Sequence, residues 1–331
     1  MLEGSAQKSG DRIRISAQLI EGTNGRHLWT ERYDRRMDDV FALQEEVAEK
    51  IVGALATGYG GRLRKAWQNR GAAAGARDLQ ALDYFLRGFE LLNRFTRDDN
   101  KRAQEAFRKA FELDPNYGKP IAKLAMSHMI DVMWGWSENP AASWEEAWRL
   151  INLALERDDD EPWCHWGLSV YCMNKLGQHD RALSELQKAL ELNPGDADVM
   201  TDYAWTLNYI GRTEEAIEWA LKAMRINPHH PEWYIMQLGP IYYDAHRYQD
   251  AIETIESLRN FETIWTDFYL AASHAQLGHQ TEARQALQGA LKLDPQATIE
   301  GWITSENVPY KDPSYAEHLR EGLRDAGLPE R

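Results

Sequence analysis

The sequence predicts an all-α protein: a right-handed solenoid of about six helix-turn-helix repeats with a C-terminal capping helix, preceded by a small β-meander and helix. Three observations carry the prediction. A spaced triple of Ala, six residues, Ala, four residues, Pro recurs at Ala103, Ala110, Pro115, at Ala182, Ala189, Pro194, at Ala216, Ala223, Pro228 and at Ala283, Ala290, Pro295. A glycine stands five residues before the first of those alanines in three copies, at Gly177, Gly211 and Gly278. The first 36 residues follow a period of two instead of a helical period.

In chain order, residues 1–76 form the first unit and 77–331 the second. Ile13, Ile15, Ala17 and Leu19 alternate with Arg12, Arg14, Ser16 and Gln18, the pattern of a half-buried strand. Asn24-Gly25 marks a turn, "RHLWTERY" reads as the returning strand, and Leu2 to Gln7 reads as a third strand reached through Ser9-Gly10. Behind Asp38-Asp39, Val40, Val47, Ile51 and Leu55 lie at helical spacing and give a helix able to cover one sheet face. Glycines at 58, 60 and 61 interrupt it, and "GAAAGA" at 71–76 reads as the linker into the repeats.

Each repeat has a simple physical logic. A first amphipathic helix stops at a residue free to take positive φ, a second helix offers two alanines for close packing, and a proline ends it. Proline separations of 79, 34 and 67 residues leave room for two degenerate copies. These are legible at Ala147 with Ala154, where Asp159 replaces the proline, and at Ala251 with Leu258, where Thr263 does. The segments "RALSELQKALELNP", "EAIEWALKAMRINP" and "EARQALQGALKLDP" resemble the tetratricopeptide family, over residues 82 to 297 as six repeats. Repeat two carries about ten extra residues around "MWGWSENPAAS" between its helices. Trp134 and Trp136 in that insertion either face a partner or pack back onto the solenoid. "SYAEHLREGLRDAGLPE", with Tyr315, Leu319 and Leu323 on one stripe, reads as the polar-faced cap.

The stretch from "LEGSAQKSGDRIRISAQLI" to "VFALQEEVAEKIVGAL", followed by "ALDYFLRG" and ending in "GLRDAGLPE", resembles the end of the TolB-like domain of bacterial signalling proteins together with its repeats. Such polypeptides begin with a class III adenylate or guanylate cyclase domain, or a winged-helix regulator domain. The resemblance implies a regulatory or sensory module that starts inside the TolB-like sheet, either severed from its output domain or encoded without one. A sheet entered partway presents an open edge, from which a homodimer through residues 1–57 is expected, the competing outcome being a frayed monomer.

No catalytic constellation emerges, so the expectation is a non-enzyme without cofactor. The ten histidines include no HExxH. Cys164-His165 are adjacent on a helix and point about 100° apart, which does not suit a nucleophile and its base. Cys164 and Cys172, eight residues apart on a helix, sit roughly 12 Å apart and cannot bridge. Free thiols and the lack of a signal peptide or a membrane-length apolar run point to the cytoplasm. The net charge of -14 is concentrated after residue 75, where 26 Lys and Arg face 42 Asp and Glu, which argues against nucleic acid as partner.

The concave surface remains as the candidate site. Aligning the repeats on the second-helix alanine turns Tyr171, Asn174, Trp205, Tyr209, Trp233, Tyr243, Trp265 and Tyr269 toward the groove, with Asp198 and Asp202 among them. An aromatic, mildly acidic lining suits an apolar or basic protein or peptide partner. The same positions also serve packing between repeats, and both roles stay open. The expected function is a protein-interaction scaffold of a cyclase-type signalling protein. The alternative is a small-molecule sensor with an aromatic pocket.

Overall fold

The computed structural model describes residues 2–9, 12–20, 27–36, 77–115, 117–157, 160–228, 230–259, 263–304 and 307–331. The expected turn at Asn24-Gly25, the helix from Val40 to Leu55 and the linker at 71–76 lie outside these residues.

The N-terminal strands β1 (Leu2–Ser9), β2 (Arg12–Ile20) and β3 (His27–Arg36) form an antiparallel meander in that order. The register pairs Ala6 with Ile15 and Ile15 with Tyr33, with an irregularity at Leu19/Ile20. The alternation holds in part: Ala17 is buried, but Ile13 and Ile15 are only half-buried, as are Ser16 and Gln18, while Arg12 and Arg14 are exposed and reach Asp34 across the strand pair at 3.0 and 2.7 Å. The bond from Arg14 holds the Asp34 carboxyl below its ordinary pKa.

The solenoid is built from six helix pairs. They are α1 (Arg77–Leu92) with α2 (Arg97–Leu113), α3 (Gly118–Met133) with α4 (Pro140–Arg157), and α5 (Pro162–Asn174) with α6 (His179–Leu192). Then come α7 (Ala197–Tyr209) with α8 (Thr213–Ile226), α9 (Trp233–Asp244) with α10 (Tyr248–Glu256), and α11 (Ile264–Gln276) with α12 (Gln280–Leu293). The alanines that revealed the repeat are its contact points: Ala103, Ala110, Ala182, Ala189, Ala283 and Ala290 are all 0% exposed. Where a second helix lacks the proline before α11, Thr263 takes over the boundary. Its hydroxyl accepts from Thr266 N while Thr266 Oγ1 accepts from Thr263 N, closing a capping box.

The turn between paired helices uses one positive-φ residue in every repeat: Phe95, Gly135, Gly177, Gly211, His246 and Gly278, with φ between 49° and 84°. Four of these are glycine, which takes that conformation without a Cβ clash. The extra residues of repeat two lengthen α4 to 18 residues and leave only a short link after Met133. There Trp134 and Trp136 stack at 6.0 Å and Phe95 of the preceding turn lies 6.0 Å from Trp134, so the insertion folds back on the solenoid.

The C-terminal segment does more than cap the last repeat. After a single turn, α13 (Ile299–Trp302), the chain runs back across the concave side as a strap and then enters α14 (Pro313–Ala326). His179, at the start of α6, bonds the Pro309 carbonyl at 2.5 Å, Lys311 N donates to the Tyr209 carbonyl at 2.8 Å, and Lys311 Nζ meets Asp180 at 2.8 Å. From there α14 returns along the first helices. The Tyr315 hydroxyl lies 3.5 Å from the Gly211 carbonyl, the Tyr243 hydroxyl donates to His318 O at 3.0 Å, and Leu319 and Leu323 are fully buried. Gly322 faces Ala272 so closely that a Cβ there would lie 2.9 Å from Ala272 Cβ, which seats α14 on α11. The polar-faced stripe read from the sequence therefore carries its apolar side into repeats four to six.

Candidate functional site

The first helices α3, α5, α7, α9 and α11 and the strap enclose a cavity of about 230 Å³ that opens to solvent. Its wall is aromatic and thioether-rich: Trp134, Trp166, Trp205, Trp233 and Trp265, with Met126, Met133, Met173 and Met236 between them. Asn307 and Val308 of the strap close one side. Among the described lining residues Asp202 is the one charged side chain, and there is no Lys or Arg that would clamp a carboxylate.

Of the groove residues expected from the sequence, Asn174, Trp205, Tyr209, Trp233, Trp265 and Tyr269 line this cavity together, joined by Trp134 of the insertion. Trp205 meets Tyr209 edge-on at 5.0 Å, and Trp265 meets Trp302 at 5.5 Å. Both Trp205 and Trp265 are half-buried, so each still offers surface. Tyr171, Tyr243 and Trp136 stand outside the cavity lining. Tyr171 packs on Trp148 at 4.9 Å and on Trp144 at 5.5 Å, between repeats two and three. Tyr243 is 0% exposed, its ring stacked on His318 at 4.8 Å, because α14 covers it. Asp198, expected in the groove, is 0% exposed and accepts from the Tyr234 hydroxyl between repeats four and five. Alignment on the alanines fixes the helix phase, but it does not show that the chain's own C-terminus covers part of that face.

A buried polar network underlies the cavity. Lys123 of α3, 1% exposed, holds its ammonium 3.7 Å from the Trp163 ring centroid and 3.8 Å from that of Trp166, a cation on two aromatic faces. The Trp163 indole donates to Asp196 at 3.3 Å, and the Trp166 indole donates to Asp202. Asp196 also caps α7, accepting from the backbone of Asp198 and Val199. Burial raises the pKa of both Asp196 and Asp202, and Lys123 with the hydrogen-bond donors opposes it. None of this was anticipated from the sequence, where a lysine within "KPIAKLAMSHMI" carries no mark of burial.

The strap has its own polar anchor. Asp244, at the end of α9, accepts from Asn208 Nδ2 and from the Tyr310 hydroxyl, each at 2.6 Å, and Tyr310 lies 3.1 Å from the Tyr269 hydroxyl. Burial pushes the Asp244 carboxyl up to about 7 against the pull of those two bonds. Among the described residues no group of three His, Cys, Asp or Glu is placed to hold a metal ion. His165 is paired with Glu185 at 2.8 Å, and both cysteines are buried and outside any described disulfide. No described helix is long and apolar enough to cross a membrane.

Helix pairs of this geometry define a repeat solenoid. Residues 95–117 and 174–237 match the tetratricopeptide repeat, so the chain carries tetratricopeptide repeats. A protein named "Putative adenylate cyclase 3" from Rhizobium meliloti (strain 1021) is 32% identical over 184 residues, which are 55% of this chain and 31% of that protein. The chain thus spans about a third of that relative. Among solved structures, the APC/C hetero-tetramer Cut9-Hcn1 is similar at 14% identity over 86% of this chain and 49% of that one, with a TM-score of 0.52. The Pseudomonas aeruginosa pilF structure shares 16% identity over 67% of this chain and 95% of that one, with a TM-score of 0.46.

Proposed function

We propose that this chain is a non-catalytic interaction scaffold that holds an apolar or basic segment of a partner in the cavity of repeats one to six, as the binding module of a nucleotide-cyclase-type signalling polypeptide. The observation that carries the reading is the cavity itself. Five tryptophans and four methionines converge on it, and large rings and pliant thioethers are the residues that grip a partner's side chains. The cyclase context rests on the name of the 32% identical relative and on the TolB-like resemblance of the N-terminal segment. The reading divides the chain near residue 76. It pairs two copies through residues 1–57, supported by β1, whose outer edge has no partner strand among the described residues. Two buried cysteines outside any described disulfide support a reducing compartment such as the cytoplasm.

Affinity capture from native lysate tests the groove. The whole chain is expected to retain a partner, and the doubly substituted Trp205→Ala, Trp265→Ala chain to lose it at least tenfold with helix content unchanged. Capture indifferent to both substitutions overturns the assignment.

A further inference from the structure

Asp202 accepts from two donors already, the Trp166 indole and Gln237 Nε2, the latter at 2.9 Å. A carboxylate has about four acceptor positions, so capacity remains. Gln237 is 9% exposed, and its Oε1 has no hydrogen-bond partner among the described residues. A third acceptor follows from covalent structure. Pro240 lies inside α9 and has no N–H, so the carbonyl of Met236, four residues earlier, lacks its helical donor. All five of these residues line the cavity. The polar side of the site therefore offers acceptors, and its apolar side offers the electron-rich faces of indoles.

Charge points the same way. Lys123 is shared by Asp196 and Asp202, so with both carboxylates ionised the buried trio carries one net negative charge. Asp196 is committed to capping α7. Asp202 is the member that faces the cavity. The surrounding solenoid is acidic, with 26 Lys and Arg against 42 Asp and Glu after residue 75.

The geometry points to an arginine side chain of a partner peptide as the occupant, its guanidinium donating to Asp202 and Gln237 while its face lies on an indole. This deepens the groove reading above and rests on it. A planar fork with five donors meets several acceptors at once and stacks on aromatic rings, whereas an ammonium is a compact, strongly hydrated point charge. A peptide fits better than a free cation because Met126, Met133 and Trp265 line the same cavity, apolar surface that flanking residues would cover.

Acetylated, amidated pentapeptide pools, each fixed at its central residue, are titrated against the whole chain by fluorescence anisotropy. The pool fixed as arginine is expected to bind most tightly. Replacing that arginine by citrulline, which keeps the shape and removes the charge, is expected to weaken binding at least tenfold, a comparison that leaves the protein's fold untouched. Gln237→Leu is expected to weaken the arginine peptide about tenfold and the citrulline peptide less than twofold. Equal or tighter binding of pools fixed as a non-basic residue, or equal binding of the citrulline peptide, overturns the arginine site and leaves the scaffold standing. If no pool binds, the arginine site falls as well, and the capture experiment alone then decides the scaffold reading.

Discussion

Asp244 gives the C-terminal half of the solenoid a calculable response to pH. Its carboxyl is 2% exposed and its pKa stands at about 7, against 3.8 in the open chain. Because the folded value is the higher one, the native state keeps a proton that the unfolded chain has released. The associated stabilisation is complete below about pH 4 and is lost as pH rises through about 7. Between about pH 5.5 and 7.5 the linkage relation gives a loss of about 2 kcal/mol, or about thirtyfold in a local opening equilibrium. His128, His274 and His318 act in the opposite sense, since burial lowers their pKa values and their contribution is lost as pH falls. The informative quantity is therefore the difference between the wild type and Asp244→Asn, which keeps the shape and cannot ionise. Hydrogen exchange of α9, α11 and α14, corrected for the intrinsic pH dependence, measures opening where Asp244 sits. The wild-type advantage at low pH should shrink by about 2 kcal/mol across the window. A difference that stays flat within a few tenths of a kcal/mol would falsify the assignment of Asp244 as the titrating group.

Three further outcomes follow from the packing. Tyr310→Ala removes a buried ring that touches Tyr209 at 5.0 Å and bonds Asp244, and should cost about 3–5 kcal/mol in local opening of α14, read by the same exchange experiment. In Gly88→Ala the new methyl would lie 2.8 Å from the Phe107 ring, and the overpacking should lower stability by about 1–3 kcal/mol in a urea titration. Thr263→Ala deletes the capping box of α11 and should cost about 1 kcal/mol, visible as early fraying of that helix in exchange.

The repeat was legible because its marks are steric. An alanine at a helix crossing and a glycine at a left-handed turn are forced by geometry, and both appear in the text as letters at fixed spacing. Phe95 and His246 were not legible as turn residues, since each holds the left-handed position with a side chain that the letter code associates with other roles. Groove residues were legible as a face, because helical phase follows from the alanines. Their exposure was not, because α14 covers Tyr243 and the strap contacts Tyr209 and Tyr269. A clue stood in the sequence: Val308, Pro309 and Tyr310 form an extended apolar run between prolines that no solvent-facing linker requires, and all three are buried. The Lys123 network had no such clue, as its partners come from repeats three and four and only tertiary structure assembles them.

The strap changes the elasticity of the molecule. In a repeat solenoid each unit touches only its neighbours, so the array bends and stretches like a spring whose stiffness is local. Here the strap from Asn307 to Asp312 reaches His179 and Asp180 of the third repeat, as a chord spans an arc. A chord fixes the curvature beneath it: repeats three to six can straighten only if the His179 and Lys311 attachments part. Repeats one and two lie outside the chord and keep the compliance of an ordinary solenoid. Tension applied between the ends of the array should therefore be taken up first in repeats one and two, and the aromatic cavity, which runs from Phe95 to Tyr269, would be sheared at the junction between the compliant and the braced segments.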